Sequence, residues 1–130
     1  MKIIGIIVLV LVVVIIALLM SGGSTTSTKN SGMMFSTVQA DLNAGARLID
    51  VRTVEEFNAG YVEGGVNLPL DKIQSGVFPT SAKDTKIYVY CRSGNRSAQA
   101  KALLQKAGYT NVIDLGGMND VVSMGGKQIK

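Results

Sequence analysis

Residues 85–108 read TKIYVYCRSGNRSAQAKALLQKAG, and the fold turns on how this stretch is divided. TKIYVYC (85–91) is the most strand-like run in the chain, rich in β-branched and aromatic residues. It ends on Cys91, the only cysteine. A helix is expected from about Arg96 to Ala107, with Ala98, Ala102 and Leu103 on one face, Lys101 and Gln105 on the other, and Gly108 as its stop. The unit is therefore a buried strand, a short polar loop and a helix, with the thiol at the strand's carboxyl end.

The flanking sequence repeats this alternation. Ser36 and Gln39 form a capping-box pattern before TVQADLNAG, Gly45 closes it, and RLIDV (47–51) reads as a buried strand. Thr53 and Glu56 repeat the capping pattern before EEFNAG, with Gly60 as the stop. GGVNLPL (64–70) reads as a short strand, DKIQSG (71–76) as a helical turn or two, NVIDL (111–115) as a last strand and MNDVVS as a last short helix. Strands separated by helices require crossover connections, which predicts an α/β fold with a mainly parallel central sheet flanked by helices. Ligands in such folds bind beyond the carboxyl ends of the strands, where Cys91 lies.

The N-terminal part has a different character. Residues 3–20, IIGIIVLVLVVVIIALLM, carry no charge, and as a helix they approach the roughly 30 Å hydrocarbon thickness of a bilayer. Residues 1–20 are expected to form an N-terminal transmembrane anchor. A cleaved signal peptide is the competing reading, although the apolar run exceeds the usual length of about 7–15 residues for such a segment. Residues 21–32, SGGSTTSTKNSG, are a Gly/Ser/Thr linker, leaving 33–130 as the globular domain. Lys2 precedes the apolar run and Lys29 is the nearest basic residue after it, which favours a cytoplasmic N-terminus and an extracytoplasmic (periplasmic) domain. If the segment is cleaved, the domain is secreted or periplasmic.

Beyond residue 30 there are 11 basic and 9 acidic side chains, scattered singly, a balance too mild for nucleic acid. With no histidine and one cysteine, the chain has no means of making a zinc cluster, an internal disulfide or an imidazole-assisted nucleophile. No cofactor is expected.

In CRSGNRS (91–97), Gly94 and Asn95 tolerate backbone turns that curl amide N–H groups toward a sulfur, and Arg92 and Arg96 add positive charge. A helix N-terminus and guanidinium groups both favour the thiolate, the nucleophilic form of cysteine. The bland alternative, a small buried hydrophobe at a strand end, does not call for such a loop.

This loop, preceded by LIDVRTVEEFNAGYVEGGVNLPL and followed by LGGM, resembles the rhodanese-like sulfurtransferase family over about Phe35 to Val121. The resemblance implies a three-layer rhodanese-like fold. It also implies that Cys91 accepts a sulfane sulfur as a persulfide, cradled by the loop amides. Arg92, Ser93, Gly94, Asn95, Arg96 and Ser97 are then the substrate-binding set. Asp50 and Arg52, at the end of an early strand, stand as supporting residues or as a structural salt link. The implied partners are a small sulfur donor such as thiosulfate and an external acceptor, cyanide or a thiol. The sequence has Gly60-Tyr61-Val62 where the family commonly has Gly-His-Ile, and Val121 where a tryptophan often follows the Gly-Gly turn. Both are packing sites in the family reading.

Two other readings stand beside this one. A cysteine-dependent phosphatase or arsenate reductase places five residues between cysteine and arginine to fit a tetrahedral oxyanion, whereas four separate Cys91 from Arg96. A non-catalytic module tethered at a membrane is the third.

Overall fold

The computed structural model describes residues 32–130, so the apolar segment 3–20 and nearly all of the linker lie outside the described residues. The elements run α1 (Phe35–Asn43), β1 (Arg47–Asp50), α2 (Val54–Asn58), β2 (Tyr61–Val62), β3 (Gly65–Asn67), α3 (Leu70–Gln74), β4 (Ile87–Cys91), α4 (Asn95–Lys106), β5 (Val112–Gly117), α5 (Met118–Ser123) and β6 (Gln128–Ile129). Four strands form one parallel sheet in the order β3-β1-β4-β5. Among the described residues no helix is long and apolar enough to cross a membrane.

Every residue of β4 is buried, as expected of a central parallel strand covered on both faces. Its period of two divides the core. Ile87, Val89 and Cys91 join Ile49, Ile73, Ala100 and Leu104 on one face, under α3 and α4. Tyr88 and Tyr90 join Phe35, Val38, Leu48, Leu115 and Val121 on the other, under α1 and α5. The sulfur-bearing strand end thus belongs to the core on the α4 side.

Several local expectations hold. Gly45 follows α1 at φ +106°, a backbone conformation that glycine adopts without steric cost, and α4 occupies the predicted stretch. Thr53 and Glu56 form the reciprocal capping box at α2. Others need correction. Ser36 caps nothing: α1 starts two residues earlier than that signature places it, with Met34 at the cap position, because buried Phe35 is anchored by donating its amide to Met124 O at 2.8 Å. On α4 the buried face is Ser97, Ala100 and Leu104, while Ala98 and Ala102 are exposed. The helix is rotated because Ser97 is held beneath the loop that precedes it. Short strands β2 and β6 pair antiparallel, matching Tyr61 with Ile129 and Val62 with Gln128.

A buried ion pair fixes the corner between β1 and α2. Asp50 and Arg52 are both buried, and the guanidinium donates to both carboxylate oxygens, its Nη2 at 2.5 Å and its Nε at 2.9 and 3.0 Å. Arg52 Nη2 also donates to Gly60 O at 2.7 Å, and its backbone N–H reaches Asp50 Oδ1 at 2.9 Å. The pair is therefore bidentate and ties the end of β1 to the entry into β2. Tyr90 supports the same corner, its hydroxyl accepting from the Val62 amide at 3.0 Å. Asp50→Ala leaves the Arg52 guanidinium buried without its counter-charge, and urea unfolding should report a loss of about 3–5 kcal/mol.

Candidate active site

The loop after β4 bends round its own sulfur. Cys91 is fully buried, and the Gly94 amide donates to its Sγ at 2.9 Å. Gly94 caps α4 in the left-handed region at φ +97°, where a side chain would be strained, and this bend turns the amides inward. Burial pushes the Cys91 thiol up, but hydrogen bonds from the Ser97 hydroxyl and from the Ser97, Gly94 and Ser93 amides outweigh it. The thiol consequently ionises below its ordinary value. The groups that hydrogen-bond to the sulfur are amides and one hydroxyl, and of the arginines to which the sequence assigned part of this effect, Arg96 interacts with the sulfur through its charge.

Ser97 lies directly under the sulfur, its Oγ 3.6 Å from Sγ, 3.1 Å from Gly94 O and 3.4 Å from Gly116 O. A hydroxyl has one proton to donate and two lone pairs. With the sulfur protonated, Ser97 gives its proton to a carbonyl and accepts from the thiol. With the sulfur ionised, it turns that proton toward Sγ. One buried side chain thus serves both charge states.

The two arginines are used differently. Arg92 and its neighbour Ser93 are exposed, as is Asn95, and Arg92 makes no ion pair with another described residue. Arg96 forms a two-pronged pair with Glu56, Nη1 to Oε2 at 2.6 Å and Nη2 to Oε1 at 2.9 Å. Glu56 comes from α2 and also accepts from the Thr53 amide at 3.0 Å. Its bond from Arg96, reinforced by Thr53 against the opposing effect of burial, holds its carboxyl down at about 2. The sequence showed Glu56 only as a helix cap; its role beside the loop depends on a contact across 40 positions.

The second feature beside the loop is the Gly116-Gly117 turn, part of the LGGM motif. Cys91 is in register with Gly117 on β5, and a Cβ on Gly117 would stand 2.6 Å from Arg92 O and 3.1 Å from Ser93 Cα. The bare backbone of Gly117 therefore forms one wall of the loop. Asp114 Oδ1 accepts from the Gly116 amide and Asp120 Oδ2 from the Gly117 amide, both at 2.8 Å. Asp50 and Arg52 lie in the ion pair described above, and neither hydrogen-bonds to Cys91. Val62 and Val121, at the two family departures, are fully buried packing residues, and Tyr61 stacks on Phe57 with ring centroids 4.4 Å apart. Among the described residues no cluster of His, Cys, Asp and Glu could hold a metal ion.

Comparison with known proteins follows the same outline. The family model for the rhodanese-like domain matches residues 35–124. Thiosulfate sulfurtransferase PspE of Escherichia coli K12 is 36% identical over 74 residues, covering 56% of this chain and 71% of that protein. The chloroplastic thiosulfate sulfurtransferase 16 of Arabidopsis thaliana is 38% identical over 93 residues, covering 62% of this chain and 78% of that one. Among solved structures, a rhodanese with anions from E. coli aligns with a TM-score of 0.57 at 31% identity, covering 66% of this chain and 99% of that one. The sulfur loop, the glycine turn that walls it and the α2 corner all fall within the matched span, and the chain belongs to the rhodanese-like domain family.

Proposed function

We propose that the protein is a sulfurtransferase that moves a sulfane sulfur from thiosulfate or a similar donor, through a persulfide on Cys91, to an external acceptor. The observation that carries this reading is the buried Cys91 sulfur with the Gly94 amide on it at 2.9 Å. In the first half-reaction the thiolate attacks the outer sulfur of thiosulfate. The donor's S–S bond breaks with its electron pair leaving on sulfite, and an S–S bond forms on the enzyme. The persulfide keeps one negative charge on its terminal sulfur, and the loop amides stabilise it. In the second half-reaction cyanide takes that sulfur as thiocyanate, or a thiolate takes it as a new persulfide, and the Cys91 thiolate returns. The acceptor is external because the chain holds no second cysteine.

The phosphatase reading loses support at Glu56. Glu56 is the carboxylate paired with the loop's Arg96, and it stays ionised down to about pH 2, so it has no proton to give a leaving group near neutrality. The reading as a non-catalytic module has no comparable observation in its favour: a site made only for packing does not require donors aimed at a sulfur.

The apolar run 3–20 supports a location at the membrane, with the domain on the extracytoplasmic side and its donor and acceptor drawn from that compartment. Cys91 is buried, so sidedness is better read from a cysteine placed at exposed Lys127 in a Cys91→Ser background. A membrane-impermeant maleimide should label it on intact cells, and labelling only after lysis means the opposite orientation.

The intact mass of the protein, stripped of sulfur with cyanide and then given thiosulfate, should rise by one sulfur atom, and Cys91→Ser should show no gain. The thiol ionises below its ordinary value, so the rate of this charging step should rise with pH through an inflection below that value and level off above it. Ser97→Ala removes a donor from the thiolate. It should move the inflection upward and slow charging at pH 7 by roughly three- to tenfold, measured by stopped-flow across a pH series.

A further inference from the structure

Arg96 has the position expected of an anion-binding residue, yet both of its η nitrogens are turned to a carboxylate. The pair is bidentate, at 2.6 and 2.9 Å, and the Glu56 carboxylate is fixed from behind by the Thr53 amide at 3.0 Å. It joins α2 to the first turn of α4, next to the loop that holds the sulfur. The Arg96 guanidinium also feels the negative charge of Cys91, which places its field at the reacting atom. Glu56 brings an equal and opposite charge to the same place. Arg92, by contrast, has no carboxylate partner among the described residues.

On the sulfurtransfer reading above, we infer that Glu56 is a specificity-determining residue: by holding Arg96 in a charge-neutral pair beside the loop, it keeps that cation from the donor and biases the site toward donors of low negative charge. Thiosulfate, a dianion, gains least from such a site. A monoanionic donor such as methanethiosulfonate undergoes the same displacement, with methanesulfinate leaving in place of sulfite, and is less affected by the missing cation. The bias is electrostatic, so it is distinct from any role of Glu56 as the cap of a short helix.

The test measures Cys91 charging by each donor in single turnovers of the full chain, for the unmodified protein, Glu56→Gln and Glu56→Asp. One unit of charge acting across a partly exposed site is worth on the order of tenfold. Glu56→Gln should therefore raise the ratio of thiosulfate to methanethiosulfonate rates by roughly five- to tenfold, with the gain shrinking as salt rises. Glu56→Asp, which keeps the charge, should retain the original ratio. Equal loss with both donors in Glu56→Gln would make the residue a structural brace and overturn the inference, while leaving sulfur transfer intact. Failure of the unmodified chain to charge with either donor would instead remove the sulfurtransfer reading itself. A check that does not depend on a Glu56 variant folding uses Arg92→Gln, an exposed position whose loss leaves Arg96 as the only arginine of the loop. With Arg96 neutralised by Glu56, the thiosulfate rate of this variant should fall less than about threefold between about 0.05 and 0.5 M salt, and a steeper fall would show Arg96 acting as a full cation and overturn the inference.

Discussion

A sulfur atom that is buried and yet has to carry charge needs its hydrogen-bond donors fixed before the charge arrives, because water is not there to rearrange around it. Most of the described architecture can be traced to that requirement at Cys91. The amides that serve the sulfur belong to the bend entering α4, and they hold their direction because α4 is pinned by buried Ser97, Ala100 and Leu104. The bend is backed in turn by the bare backbone of Gly117, which β5 brings into register with Cys91. Sheet, helix and turn thus act together as a rigid mount for a few N–H groups.

The second organising element is the short helix α2, five residues long. A helix of this length has little stability of its own, since nucleation costs more than its few hydrogen bonds return. It is held by its capping box, by the Arg52 bridge from Asp50 to Gly60 just beyond its end, and by the Glu56 pair to Arg96. Glu56 belongs to the first and third of these at once. A substitution there consequently reaches the helix and the sulfur loop together, so charge-conserving and charge-removing changes have to be compared.

The parts legible in the sequence were those written in local pattern. Strand β4 showed as an apolar β-branched and aromatic run, the Thr53–Glu56 box as a spacing, and the loop around Cys91 as a set of turn residues at a strand end. What stayed hidden depends on distant partners. Strands β2 and β6 have two residues each, too few to display a period, and they exist through pairing across more than sixty positions. Ser36 carried a sound capping signature that lost to the burial of Phe35. The burial of Ser97 in place of Ala98 ran against hydropathy, because the polar side chain is needed inside, under the sulfur. At the site, the pairing of Glu56 with Arg96 could be recognised only once the chain had been folded, and the LGGM motif marked Gly117 without showing that its backbone walls the loop.

The division of labour within the loop has a consequence for how such a protein can diversify. The groups that stabilise the sulfur are mainly backbone amides, present whatever the side chains are, while Arg92, Ser93 and Asn95 face outward. Apart from Gly94, whose conformation the bend requires, the loop letters between cysteine and arginine can therefore change without dismantling the cradle. The cradle is thus written mostly in the main chain, with the Ser97 hydroxyl as its one side-chain donor, while the side chains of Arg92, Ser93 and Asn95 are exposed beside it. On the sulfurtransfer reading proposed above, a lineage can exchange one sulfur-trading partner for another by point changes on the outer surface of a loop whose inner surface stays as it was.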